Sequence, residues 1–368
     1  FGTGPIKGFA TTLLIGIMTS LFTAIFITRM LVENHISKSK LLNFSTSLTK
    51  NWLSNIGISF LIKRRISYVV SGTFIIIGLS SLFINGLNQG VDFVGGRSYV
   101  VRFEQPVSQE KIQSNLIKVL GNAEVKTFGS DNQLKITTNY KVDTDSSDID
   151  DEINNILYTD LIEFMPENIA YEDFVVNGDE NKQAGIMSSI KVGPTIADDI
   201  KKNSFYAVFG SLIIVFLYIL LRFKNWQFSL GAVSAVFHDV LVVLGIFSLT
   251  YSFMPFNMEI NQAFIAAVLT VIGYSLNDTV VVFDRIREYR NINTSWELPR
   301  VVDSALNSTL SRTLNTSFTT LVVLISIFVF GGESIRGFMF ALIVGVLIGT
   351  YSSVFVATPV MYDTLKNK

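Results

Sequence analysis

Seven stretches of about 20 mostly apolar residues recur along this chain, near residues 9–30, 67–86, 203–221, 228–250, 262–284, 313–330 and 337–358. A helix rises ~1.5 Å per residue and a bilayer core is ~30 Å thick, so each stretch is long enough to cross a membrane. The composition agrees: 49% of the 368 residues are hydrophobic and only 16% charged, and the mean hydropathy is +0.44, which excludes an ordinary soluble domain. Basic residues fix the orientation. Arg29 with Lys38 and Lys40, the run Lys63-Arg64-Arg65, Arg222 with Lys224, and Arg285, Arg287 and Arg290 fall at alternate ends of successive spans, and so belong on the cytoplasmic side. The net charge of −1 gives no global attraction for nucleic acid, and the absence of cysteine removes disulfide and thiolate chemistry. The chain opens at Phe1 with no initiator Met, which suggests a piece of a longer polypeptide.

The polar stretch 87–200, between the second and third spans, must then lie outside the cytoplasm. Strand alternation at 98–104, an amphipathic helix over 108–120 with Ile112, Leu116 and Val119 at helical spacing, short strands at 124–128 and 133–139, a second helix within 143–165 and a last strand at 186–192 give the order of a ferredoxin-like α+β unit. The expected organisation is a span in 1–30, a cytoplasmic connector in 31–62, a span in 63–86, the extracytoplasmic domain in 87–200 and five further spans in 201–368. In the connector, Phe44, Leu48 and Trp52 recur every four residues, the mark of an interfacial helix or of an irregular linker with some apolar residues. One repeat is visible: Ile6-Lys7-Gly8-Phe9 and Ile335-Arg336-Gly337-Phe338 open the first and last spans, and at the same offset Gly16 meets Gly345 and Phe26 meets Phe355.

One carboxylate sits inside a span. Asp278, in the stretch 262–284, would cost at least ~2.5 kcal/mol to keep ionised there, so it either exchanges a proton or ties helices together. Tyr274 and Ser275, four and three residues earlier, supply hydroxyls on the same face. On the next span Arg312, Thr316 and Thr319 or Thr320 share one stripe, and Arg312 is either a partner for Asp278 or a snorkelling residue at a helix end. His238-Asp239 is a second polar pair in the fourth span, able to relay protons or to fix packing; adjacent helical residues point ~100° apart, so the two are not expected to face one site. The segment Gly90-Val91-Asp92-Phe93-Val94-Gly95-Gly96-Arg97 reads by itself as a glycine-bearing turn without phosphate-loop context.

Taken together, GVDFVGGR, VGPTIADDIKKNS, HDV, GYSLNDTVVVFDRIRE and SRTLNTSFTTL, in this order, resemble the SecF half of the bacterial SecDF family of protein-export membrane components over about residues 63–360. The opening GTGPIKGFATTLLIGIMTSLFTAIFITRML resembles the last membrane helix of the SecD half. That resemblance implies a member of the resistance-nodulation-division superfamily in the bacterial inner membrane, one that draws on the proton motive force to pull unfolded preproteins through the Sec translocon. It implies Asp278 and Arg312 as the proton-transport pair and Gly90, Asp92, Phe93, Gly95 and Gly96 as the family motif, while the reading of the residues themselves offers Tyr274, Ser275, Asn277, Thr316, Thr320, His238 and Asp239 as polar supports. The implied partners are the SecYEG channel, a YajC-like accessory, the preprotein, membrane lipids and the upstream remainder of SecD. Protons are the coupling ion, and no cofactor, metal, nucleic acid or enzymatic activity is expected. Three rival readings remain: a small-molecule or lipid exporter of the same superfamily, an intramembrane aspartyl protease using Asp239 and Asp278, and a passive scaffold.

Overall fold

The computed structural model describes residues 4–38, 57–144, 147–167, 169–176 and 182–366. Phe44, Leu48 and Trp52, the basis of the interfacial-helix expectation, lie outside the described residues.

The chain begins with α1 (Gly4–Phe22), a π-helical turn (Thr23–Ile27) and α2 (Thr28–Ser37), which form one continuous rod. α3 (Arg64–Ile84) follows, its 21 residues matching the thickness of a bilayer core. A short helix α4 (Val91–Val94) then leads into a domain of β1 (Gly96–Arg102), α5 (Gln109–Leu120), β2 (Glu124–Phe128), β3 (Ser130–Thr138), α6 (Ser147–Leu161), α7 (Tyr171–Val175) and β4 (Gly185–Val192). Its sheet is antiparallel throughout, in the order β2-β3-β1-β4. Alternate residues Tyr99, Val101 and Phe103 meet Ile112, Leu116 and Leu120 of α5 and Ile153, Leu157 and Leu161 of α6, so both helices cover one face and the other face is left open. Val119, expected in this core, is exposed; the buried stripe of α5 continues at a spacing of four to Leu120. α5 starts where the Ser108 hydroxyl accepts the Lys111 amide and stops at Gly121, whose φ of 70° suits glycine.

Five longer elements complete the bundle: α8 (Pro194–Phe223), α9 (Trp226–Thr250), α10 (Gln262–Ile292), α11 (Leu298–Phe330), and a rod made of α12 (Glu333–Ser352), a π-helical turn (Ser353–Ala357) and α13 (Thr358–Lys366). Among the described residues, seven helical segments are long and apolar enough to span a membrane, as expected. α10 and α11 outrun the apolar windows at their basic ends, α10 by about two turns and α11 by about four, which hydropathy alone does not register. These ends are stitched by Arg64 to Asp363 (3.0 Å), Arg222 to Asp284 (3.0 Å) and the Asp303 carboxylate accepting from the Leu61 amide (3.0 Å).

α9, α10 and α12 form the interior of the bundle, while α1, α3, α8 and α11 present largely exposed apolar faces. Lipid gives helices no hydrophobic reason to associate, so close contact falls to small residues. A Cβ on Gly245 would stand 2.5 Å from the Gly78 Cα, and one on Gly345 would stand 2.0 Å from Val271 Cγ2. The repeat extends beyond sequence. The first rod, Gly4 to Ser37, and the last, Glu333 to Lys366, begin and end at the same offset as the sequence match. Each has a π-helical turn within one residue of the matching level, and in each a threonine hydroxyl reaches back five residues, Thr28 to the Thr23 carbonyl and Thr358 to the Ser353 carbonyl.

Candidate functional site

α10 enters the bundle from the domain end. The Asn261 side chain accepts from the Phe264 amide and the Asp92 carboxylate accepts from the Gln262 amide (both 3.0 Å), which satisfies two of the free donors of its first turn. Asp278 lies about sixteen residues, ~24 Å, further along. It is 4% exposed, and among the described residues no hydrogen bond reaches it; its Oδ2 is buried with no partner. Arg312, on α11, is close enough for its field to act on Asp278 but forms no ion pair with it. The guanidinium borders a cavity of about 360 Å³ at the basic end, lined also by Asp284, Arg285, Ser308 and Thr309. Asp278 is thus a carboxylate with no hydrogen-bond partner among the described residues and with a cation near enough to act on it.

The expected polar stripe below Arg312 is arranged differently. Thr316 donates to the Arg312 carbonyl, Thr319 to Asn315 and Thr320 to Thr316, so these hydroxyls are spent on their own helix. The buried polar face of α11 is instead Thr309, Thr313 and Ser317. Ser317 receives Tyr274 Oη at 3.4 Å and lies 2.6 Å from Thr350 Oγ1, which joins α10, α11 and α12. Asn277 is exposed and points away from the bundle interior.

Ser275, expected beside Asp278, serves Asp239. Its hydroxyl donates to Asp239 Oδ2 at 2.6 Å, the Ser352 hydroxyl donates to the same oxygen at 2.7 Å, and His238 Nδ1 lies 3.0 Å from Oδ1. The expectation that His238 and Asp239 cannot share a site is therefore corrected. Their Cβ atoms diverge, but both are buried and the imidazole folds back to its neighbour. Asp239 gathers α9, α10 and α12 into one knot, and the close approach of Gly349 to Ser275, 3.0 Å from a built Cβ to the Ser275 Cβ, makes room for it. Tyr351 continues the polar path, its ring centroid 6.1 Å from that of His238 and its hydroxyl 3.1 Å from Ser71 Oγ on α3. Sequence reasoning missed Ser317, Thr350, Tyr351 and Ser352. The run Thr350-Tyr351-Ser352-Ser353 inside an apolar span was the available signal.

The glycine-bearing segment is a built corner. Gly95 has φ 74° and Gly96 φ 129°, and a Cβ on Gly96 would stand 2.6 Å from the Thr138 carbonyl oxygen. Phe93 is buried in the bundle core, while Gly90 leaves room for the Glu259 carboxylate. Among the described residues no group of three His, Cys, Asp or Glu side chains is placed to hold a metal ion.

Comparison with known proteins matches residues 174–367 to the family model described as protein export membrane protein SecD/SecF, C-terminal, and residues 80–107 to the SecD/SecF GG motif. Protein translocase subunit SecF of Rhodothermus marinus is 44% identical, over 84% of this chain and 94% of that protein. Protein translocase subunit SecDF of Brucella abortus is 33% identical over 98% of this chain, which spans 44% of that longer protein. The crystal structure of SecDF from Thermus thermophilus, described as a translocon-associated membrane protein, superposes over the whole of this chain and 46% of its own with a TM-score of 0.81 at 28% identity. The match to SecDF in its super-membrane-facing form has a TM-score of 0.68. Seven spans, the corner at Gly95-Gly96 and these matches lead to one conclusion: this chain belongs to the SecD/SecF family of protein-export membrane proteins.

Proposed function

We propose that this chain is the proton-linked SecF-like part of an inner-membrane accessory to the Sec translocon, which uses the proton gradient to promote preprotein translocation. Family membership supports the role in protein translocation. The proton-linked part rests on Asp278, a buried carboxylate with an unpartnered oxygen and an arginine within reach of its field. When Asp278 is ionised, attraction draws Arg312 and water toward it from the basic-end cavity. When it is protonated, that attraction ends and α10 and α11 are free to repack. A transmembrane potential contributes ~2.3 kcal/mol per charge per 100 mV, enough to bias such a step in one direction. Protons are the coupling ion and no other cofactor is invoked; the partners are the translocon channel, an accessory of the YajC kind, an unfolded preprotein and a SecD-like remainder.

An aspartyl-protease dyad needs two carboxylates sharing one proton. Asp239 has both oxygens engaged by Ser275, Ser352 and His238, and none is left to share with Asp278. The deciding experiment is Asp278→Asn in the full-length protein, with import of a reporter preprotein into inverted membrane vesicles followed with and without a proton gradient. Loss of the gradient-dependent part supports the reading; unchanged import at both gradients removes it.

A further inference from the structure

The open face of the sheet is turned toward the domain end of the bundle, and it packs there only in part. A cavity of about 260 Å³ separates the two, bordered by Ser98, Val100 and Lys135 of the sheet and by Asn257, Glu259 and Phe264 below. The charged link across it is the ion pair of Lys135 with Glu259, whose side chains are 13% and 5% exposed. Glu259 belongs to the loop that starts α10: its amide donates to the Asn257 side chain at 3.0 Å, and the Asn257 amide donates to Glu333 at 2.7 Å, at the start of α12.

A second connection lies beside the first and has another character. The Gly90 amide donates to the Ile260 carbonyl (2.9 Å), the Ile260 amide donates to the Asn88 carbonyl (2.7 Å), and Asp92 accepts from the Gln262 amide. These are backbone bonds and a helix cap at the point where α3 gives way to the domain. Phe93, buried in the bundle core, anchors the same segment. Such a set holds through small rotations, whereas the Lys135–Glu259 pair borders a cavity of about 260 Å³ that can admit water, so a tilt of the sheet would open this connection first.

We infer that segment 88–92, bonded to residues 260–262, is the hinge between α10 and the extracytoplasmic domain, and that Lys135–Glu259 is the latch that holds the domain down in one of two positions. The hinge places the first turn of α10, the helix of Asp278, in mechanical contact with the root of β1 only four residues after Asp92. A shift of α10 then tilts the sheet, and the tilt separates Lys135 from Glu259. This rests on the proton-linked reading of Asp278 for its driving force, but not for its geometry.

The test is a reversible bridge. This chain has no cysteine, so Lys135→Cys with Glu259→Cys introduces a unique pair into the full-length protein once any cysteine outside the chain is replaced. A short bifunctional thiosulfonate is expected to join the pair and to lower gradient-driven preprotein import by about ten-fold, with import restored by reductant. Lys135→Cys alone imports at the same rate before and after the identical treatment, since it has no second thiol to be bridged to. A bridged protein that imports at the unbridged rate overturns the latch. Should the unbridged pair accumulate poorly, Glu259→Lys alone is expected to lower import by about five-fold and the exchange of Lys135→Glu with Glu259→Lys to recover it; wild-type import by the single variant overturns the latch equally. The two ideas separate cleanly. If Asp278→Asn loses the gradient-dependent import while the bridged pair keeps it, only the latch fails. If Asp278→Asn changes nothing while the bridge inhibits, only the proton reading fails.

Discussion

Asp239 and Asp278 sit on neighbouring helices, both almost wholly buried, and the chain treats them in opposite ways. Asp239 accepts two serine hydroxyls from two other helices and is met by the adjacent imidazole. Asp278 accepts no hydrogen bond among the described residues, and the nearest cation to act on it is held outside ion-pair distance. A buried carboxylate saturated with donors is a fastener, because changing it strands every donor aimed at it. One without donors contributes little to folding and is free to change its charge. Burial does not distinguish the two carboxylates; hydrogen-bond occupancy does.

The largest effect that would break this contrast is expected at Asp239. Replacing it by Leu leaves the Ser275 and Ser352 hydroxyls and His238 Nδ1 without their acceptor in a sealed interior, and His238 Nε2 already lacks a partner. The expected loss is ~3–5 kcal/mol, read as a marked fall in melting temperature of the detergent-solubilised protein. Asp239→Asn keeps one accepting oxygen and is expected to lose less than half of that. An Asp239→Leu protein that melts with the wild type would show that the knot is not what joins α9, α10 and α12.

Two glycines near α10 sharpen the same point. A Cβ at Gly345 on α12 would meet Val271 of α10 at 2.0 Å, so Gly345→Leu is expected to prise these helices apart and cost ~1–3 kcal/mol. Gly273, on α10 itself, has nothing within 4 Å of its built Cβ, and Gly273→Ala is expected to leave melting within ~0.5 kcal/mol. Equal losses at the two sites would mean that the knot side of α10 is no more closely packed than its exposed side.

Much of this was legible in the sequence because spans are written as long apolar runs, a local signal. The strands of the extracytoplasmic domain were legible for the same reason, and the boundaries of β2 coincide with the expected ones. The partners of the buried acids were not. Ser275 lies three residues from Asp278 and 36 from Asp239, yet it serves the distant one, because the crossing of α9 over α10 decides which hydroxyl meets which carboxylate. Likewise the stripe Arg312, Thr316, Thr320 has perfect helical spacing, but spacing cannot tell whether a hydroxyl points across to a neighbour or back to its own carbonyl. The repeat between the first and last rods was visible as six matched positions, while its shared π-helical turns have no compositional mark.

Outside the membrane, Asp150 tests whether a carboxylate with partners behaves as a fastener in water too. Burial raises its pKa, but Lys191 (3.0 Å) and Arg97 (2.5 Å) outweigh that and hold it below the usual carboxylate range. A depressed folded pKa stabilises above the unfolded value of ~3.9 and is lost as pH falls through the folded one. Asp150→Asn is therefore expected to be less stable than wild type at pH 7, and the difference to vanish on acidification below about pH 4. The side chain is more than a third exposed, so screening limits the effect to under ~1 kcal/mol. Urea unfolding of both proteins across this range measures it; a gap that widens on acidification would reverse the sign of the argument.

The smallest expected change in stability belongs to Asp278→Asn. No hydrogen bond is lost, since none is accepted, and because a carboxyl that can protonate escapes most of the ~2.5 kcal/mol needed to hold a charge in hydrocarbon, the neutral amide relieves only a small cost. Melting is expected within ~0.5 kcal/mol of wild type or slightly above it, while gradient-dependent import disappears. That pairing matters more than either result alone, because a misfolded protein also fails to support import. If Asp278→Asn melts as early as Asp239→Leu, Asp278 is a second fastener and its loss of function says nothing about protons. If it melts normally and still fails, what has been removed is the ability to change charge.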